Sequence, residues 1–168
     1  MTTPDATDLL QAEADFQALI DSQQTLLLST VTATGQPAIS YAPYVRDGSG
    51  RFYIFISDLA EHTGNLQQQG RAAILFVRPE AETRNPFARE RVILQCRAGE
   101  VPETDTNHAA MLSRLEQRFG DTVALLRRLP DFHLFALTPQ SGRYVAGFGK
   151  AYDLELPAGT LRPVSPPD

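Results

Sequence analysis

The chain has a single cysteine, Cys96. This excludes an internal disulfide framework and any cysteine-rich metal centre, and it fits a reducing compartment, so the expected location is cytoplasmic. Positive charge is also scarce: 15 Lys and Arg stand against 20 Asp and Glu, a formal net charge of -5. That balance argues against a grip on nucleic acid, though a local basic cluster can still hold a small anion. No apolar run approaches membrane-span length, and residues 1–8 carry acids where a secretion signal needs bases. Neither nucleic acid nor membrane is therefore an expected partner. Also missing are a Gly-rich phosphate loop, a nucleophile elbow, an HExxH helix and any internal repeat, which removes the common signatures of nucleotide hydrolysis, acyl transfer and zinc chemistry. The 168 residues suffice for one sizeable core. A single domain over 1–156 is expected, with 1–7 as a flexible leader and the proline-bearing 157–168 as a disordered tail.

What the chain does contain is strand-forming sequence. Arg51-Phe52-Tyr53-Ile54-Phe55-Ile56-Ser57 is rich in aromatic and β-branched residues and reads as a strand buried on both faces. Residues 25–32 and 37–45 form a hairpin around Gly35, with Pro43 confined to an edge, a bulge or a ligand-facing gap because it has no N–H for a ladder. Asp58 and Glu61 resemble a capping box that opens a short helix, and strands follow at 71–77 and 89–98. Helical spacing appears at 8–22, 103–119 and 122–129. A last hairpin is expected from strands 131–138 and 143–149, turned by Pro139-Gln140-Ser141-Gly142. Mostly short connections and segregated helices point to an α+β fold, a mainly antiparallel small β-barrel with peripheral helices.

Candidate chemistry is sparse. His62 and Asn65 follow a strand end, where small-molecule sites collect. Arg89 and Arg91, two apart on the expected strand, share a face and could clamp a carboxylate or phosphate, or simply form a solvated edge. Asp131 and His133 also share a face, but strand neighbours run parallel, so a direct pair between them is not expected. Cys96 alternates with Val92 and Leu94 and reads as a core thiol, and His108 as surface.

The motifs Ser29-Thr30-Val31, Gly35-Gln36-Pro37, Ser40-Tyr41-Ala42-Pro43-Tyr44-Val45, Ile56 through Leu66, Phe87-Ala88-Arg89-Glu90-Arg91 and Gly147-Phe148-Gly149-Lys150-Ala151-Tyr152, in this order, resemble the pyridoxamine phosphate oxidase-like FMN-binding split barrels, and within them the heme-utilisation proteins. The resemblance implies a homodimeric split barrel holding a planar cofactor, heme or FMN, in clefts between subunits. By position in these motifs it implies Ser40, Tyr41, Ser57, His62, Thr63, Asn65, Arg89 and Arg91 as cofactor contacts. Flavin-binding relatives hold phosphate with a basic pair where this chain has Glu61-His62-Thr63, which weakens the flavin reading. Heme-utilising relatives use a C-terminal histidine as iron ligand, oriented by an aspartate; Asp131 matches the aspartate, while residues 153–168 contain no histidine. His62 and His133 are then the available imidazoles for iron. The implied function is heme binding with possible oxidative ring opening, which needs an external electron donor. The alternatives are an FMN-dependent oxidoreductase or flavin reductase, and a heme or flavin carrier that never turns over.

Overall fold

The computed structural model describes residues 6–156 and 158–164. In order, the elements are α1 (Ala6–Asp21), β1 (Thr25–Val31), β2 (Pro37–Arg46), β3 (Phe52–Ser57), α2 (Glu61–Gln69), β4 (Arg71–Val77), β5 (Arg91–Glu100), α3 (Thr106–Phe119), α4 (Asp121–Leu126), β6 (Phe132–Gly147), β7 (Lys150–Glu155) and β8 (Thr160–Pro163). Short 3-10 turns occupy Glu80–Glu82 and Pro86–Ala88. The strands are hydrogen-bonded in the order β3-β2-β1-β4-β5-β6-β7-β8, and β3 also pairs with β6, so six strands form a closed antiparallel barrel. The α+β barrel expectation therefore holds. No helix among the described residues is long and apolar enough to cross a membrane.

The chain packs as two compact units, with boundaries before β1 and inside β4, β5 and β6. The unit of residues 25–74 and 96–139 contains β1, β2 and β3. Its β1–β2 hairpin turns through Gly35 at φ 83, a left-handed conformation that favours glycine. Pro43 is the last β2 residue paired with β1, opposite Thr25, and the pairing with β3 begins at Tyr44. The missing N–H thus falls where β2 changes partner. Phe52, Tyr53, Ile54 and Ile56 of β3 are all buried, as expected of a strand covered on both faces. Met111, Leu112 and Leu115 of α3 and Val123 of α4 join Val45, Tyr53, Val101 and Leu134 in one apolar cluster. Each such leucine contributes about 1.5–3 kcal/mol. Cys96 is buried, and loss of hydration pushes its thiol up to about 12, in keeping with a core role.

The unit of residues 1–24, 75–95 and 140–168 packs α1 against β8. Phe16 meets Tyr144 edge-on at 5.8 Å, and Glu13 accepts the Leu161 amide at 3.0 Å. α1 begins at Ala6, inside the expected leader, while residues 1–5 lie outside the described residues. The tail expectation is corrected in the same way: Thr160–Pro163 is a strand paired with β7, because Leu161 is buried opposite Leu154. Pro157 and residues 165–168 lie outside the described residues.

The expected turn at 139–142 is absent, and β6 runs unbroken for 16 residues. Gly142 does not take the positive φ of a tight hairpin; Gly149 does, at φ 67, so the chain reverses there. Gly142 serves close packing instead, since a Cβ there would lie 2.5 Å from Leu94 Cδ2 and 3.2 Å from Leu154 Cβ. Gly142→Ala is expected to cost about 1–3 kcal/mol through overpacking, read from the midpoint of urea unfolding.

Candidate functional site

The antiparallel β3–β6 register sets Ile56 opposite His133 and Ser57 opposite Phe132. Two chain segments far apart in sequence therefore meet at the end of β3. Ser57 Oγ donates to Asp131 Oδ2 at 2.6 Å and accepts from the Leu59 amide at 3.1 Å. The Asp58 amide donates to the Asp131 carbonyl at 2.8 Å. Asp131 is thereby fixed by side chain and backbone together.

These bonds overturn the expected capping box. Asp58 turns its carboxylate to His133 and Ser57 turns its hydroxyl to Asp131, so α2 starts at Glu61 with no side-chain cap. The Thr63 amide instead donates to the Ala60 carbonyl at 3.0 Å.

His133 stands between two carboxylates. Its Nε2 lies 3.0 Å from Asp58 Oδ1 and its Nδ1 2.8 Å from Glu100 Oε1. The Asp58 contact is a pairing of charges rather than an aligned hydrogen bond, since Nε2 finds no well-directed acceptor. The flanking carboxylates, Asp58 first and then Glu100, hold the imidazole pKa above its usual 6.5 against the opposing effect of burial. As expected, no direct pair with Asp131 forms.

His62 is half-buried on α2, and its Nε2 is shielded from solvent without a partner. Burial pushes its pKa down, favouring the neutral ring. Among the described residues, no group of three or more His, Cys, Asp or Glu is placed to hold a metal ion. The Nε2 atoms of His62 and His133 are both shielded from solvent and without a hydrogen-bond partner.

Thr63 and Asn65 face inward. Thr63 is fully buried and donates to the Ser57 carbonyl at 2.6 Å, while Asn65 Nδ2 donates to buried Thr30 Oγ1 at 3.0 Å. Both knit α2 to the strands beside it, and neither side chain is open to a ligand. Ser40 and Tyr41, neighbours on β2, point to opposite faces. Ser40 is half-covered, with its hydroxyl 3.4 Å from the Leu28 carbonyl, whereas Tyr41 is 64% exposed. Tyr41 stands beside Ile39, 78% exposed, and opposite Leu27, 37% exposed, so the outer face of the β1–β2 hairpin carries an apolar patch.

Arg89 and Arg91 belong to the other unit, and they do not share a strand face as expected, since β5 begins only at Arg91. Arg89 precedes β5 in a loop; its Nε donates to the Arg78 carbonyl at 2.6 Å and its Nη1 pairs with Glu80 at 3.1 Å. Arg91 Nη1 donates to the Arg89 carbonyl at 2.9 Å. Arg89 is thus tied to its own loop by two contacts and Arg91 by one.

Sequence reasoning missed Asp58 and Glu100 as partners of His133. Both stand at strand ends, the one available signal, but only the β3–β6 pairing reveals that those ends converge. Thr63→Val keeps the shape and removes the donor to Ser57, so it is expected to cost about 1–3 kcal/mol in denaturant unfolding.

Three comparisons bear on this site. The family model described as pyridoxamine 5'-phosphate oxidase matches residues 12–146. Heme oxygenase HutZ of Vibrio cholerae is 34% identical over 142 residues, 84% of this chain and 80% of that protein. The crystal structure of HutZ, described there as a heme storage protein, superposes with a TM-score of 0.72 at 32% identity, over 77% of this chain and 90% of that one. Campylobacter jejuni ChuZ gives a TM-score of 0.82 at 27% identity, covering 96% of this chain and 64% of that one. A heme binding protein from Mycobacterium smegmatis gives 0.72 at 27% identity, covering 91% of this chain and 59% of that one.

Proposed function

The chain belongs to the pyridoxamine 5'-phosphate oxidase family, and from that premise we propose that it binds heme, as cargo or substrate, in the seam of a homodimer. The observation that carries this reading is the 34% identity to heme oxygenase HutZ across 84% of the chain. The apolar patch of Leu27, Ile39 and Tyr41 supports it, because a second copy laid on that face would remove three exposed side chains from water. Asp131 supports it too, being held by Ser57 as a fixed acceptor near the end of β3.

In this reading each group has a limited part. Asp131 would orient whatever donor meets it, and the imidazole of His62, on α2, would be a contact or ligand for the bound group. Were iron bound, His62 and His133 would be the imidazoles available to it, and the Nε2 of each is without a hydrogen-bond partner. Ring opening requires dioxygen and an external electron donor; stoichiometric binding that survives added reductant identifies a carrier instead. The flavin reading has less support. Arg89 and Arg91 are engaged within their own loop, and Glu61-His62-Thr63 supplies no basic pair for a phosphate.

Hemin titrated into the purified protein at micromolar concentration is expected to give a shifted Soret band. No shift, or the release of FMN from protein as isolated, overturns the proposal. Light scattering is expected to report a dimer, and the pair Ile39→Glu and Tyr41→Glu a monomer with hemin affinity lowered at least about tenfold, roughly 1.4 kcal/mol. A monomeric parent protein rejects the seam.

A further inference from the structure

Arg71 opens β4 and Arg97 lies near the end of β5. The Ala98 amide donates to the Gly70 carbonyl at 2.8 Å, and elsewhere on the same two stretches the Arg78 amide donates to the Glu90 carbonyl at 2.9 Å. Both bonds fit one antiparallel register, which sets Arg71 directly opposite Arg97, between hydrogen-bonded pairs, where facing side chains stand closest. Both arginines are exposed while Ala72, Cys96 and Ala98 beside them are buried, so both guanidinium groups lie on the outer face of the barrel. Like charges placed opposite each other destabilise an antiparallel pair. Arg51, Arg78, Arg89, Arg127, Arg143 and Arg162 each meet a carboxylate. Arg71 and Arg97 instead face each other across the ladder, and among the described residues no carboxylate pairs with either.

The pair shares its unit and its face with the apolar patch. Leu27, Ile39 and Tyr41 lie with Arg71 and Arg97 in the unit of residues 25–74 and 96–139. β4 is hydrogen-bonded beside β1, and Gln23, two residues before β1, donates to the carbonyl of Val77, the last residue of β4, at 3.1 Å. The antiparallel course of the two strands therefore brings Arg71, the first residue of β4, to the later part of β1, where Ser29 and Val31 pair with Ile39 and Pro37. An apolar surface and two positive charges thus adjoin on the outer face of one sheet.

We propose that Arg71 and Arg97 form a clamp for the propionate carboxylates of heme, whose ring lies in the seam beside the apolar patch. The proposal rests on the heme reading and names the groups that hold the acidic edge of the ligand. Each guanidinium presents a planar fork of N–H donors that matches a carboxylate. With the clamp empty the two charges oppose each other across the ladder, and a carboxylate bound between them offsets both.

The test titrates hemin and hemin dimethyl ester, whose carboxylates are blocked, into the full chain and into the double variant Arg71→Gln, Arg97→Gln. The parent is expected to bind hemin about tenfold tighter than the ester. The double variant is expected to bind the two alike, with its affinity for the ester unchanged from the parent's; a pair that is merely solvated leaves the preference as it was. Arg71→Glu is a second arm that reads the placement itself. It sets opposite charges face to face, so the melting temperature is expected to rise by about 2 °C while the preference for hemin is lost. A parent that binds hemin and the ester equally, or a double variant that keeps the preference, overturns the clamp and leaves the heme reading standing. A fall in melting temperature for Arg71→Glu shows that the two side chains do not oppose each other, which removes the placement the clamp needs. No Soret shift of the parent with either compound removes the heme reading, and the clamp with it.

Discussion

The antiparallel pairing of β3 with β6 is the constraint on which the rest depends. It closes the barrel, from Phe52 opposite Leu137 to Ser57 opposite Phe132. In doing so it brings the residue that ends β3 and the residue that precedes β6 within hydrogen-bonding distance. Ser57 and Asp131 are 74 positions apart in the chain, yet their side chains meet at 2.6 Å. The Asp58 amide meets the Asp131 carbonyl and Thr63 meets the Ser57 carbonyl, so the shape of the loop entering α2 follows from strand register rather than from helix propensity.

Around that anchor, polar side chains divide by what they do. Thr63, Asn65 and Thr30 are buried and satisfy one another or the backbone, which makes them part of the packing despite their chemistry. Arg89 and Arg91 are similarly occupied within their own loop. Facing outward, among others, are Tyr41 with its apolar neighbours, Leu59, Phe87 and Phe148, and Asp131 is partly exposed.

The elements themselves were largely legible. β1, β2, β3 and β4 follow from alternating and aromatic-rich runs, and α3 from its apolar stripe above Asp105, whose side chain accepts the Asn107 amide at 2.7 Å. Errors arose where a local motif competed with a distant partner. Pro139 through Gly142 has the composition of a turn, but the packing of Gly142 against Leu94 and Leu154 keeps the strand extended. Asp58 has the spacing of a helix cap, but His133 attracts it more strongly. Arg89 lay two residues from Arg91 in a run that reads as continuous strand, and the 3-10 turn at Pro86–Ala88 takes it out of the ladder.

By itself, the amino-acid order determined the class of fold, the absence of disulfide and cysteine-metal chemistry, and the family motifs, because these rest on side-chain period and composition, which are local properties. Which polar groups face a ligand and which are consumed by the protein was decided only in three dimensions. A hydroxyl, amide or imidazole is equally at home in a core or in a site; what separates the two is whether strand pairing delivers a partner to it. For His133 two carboxylates arrive, for Asn65 a threonine, and for the Nε2 of His62 nothing.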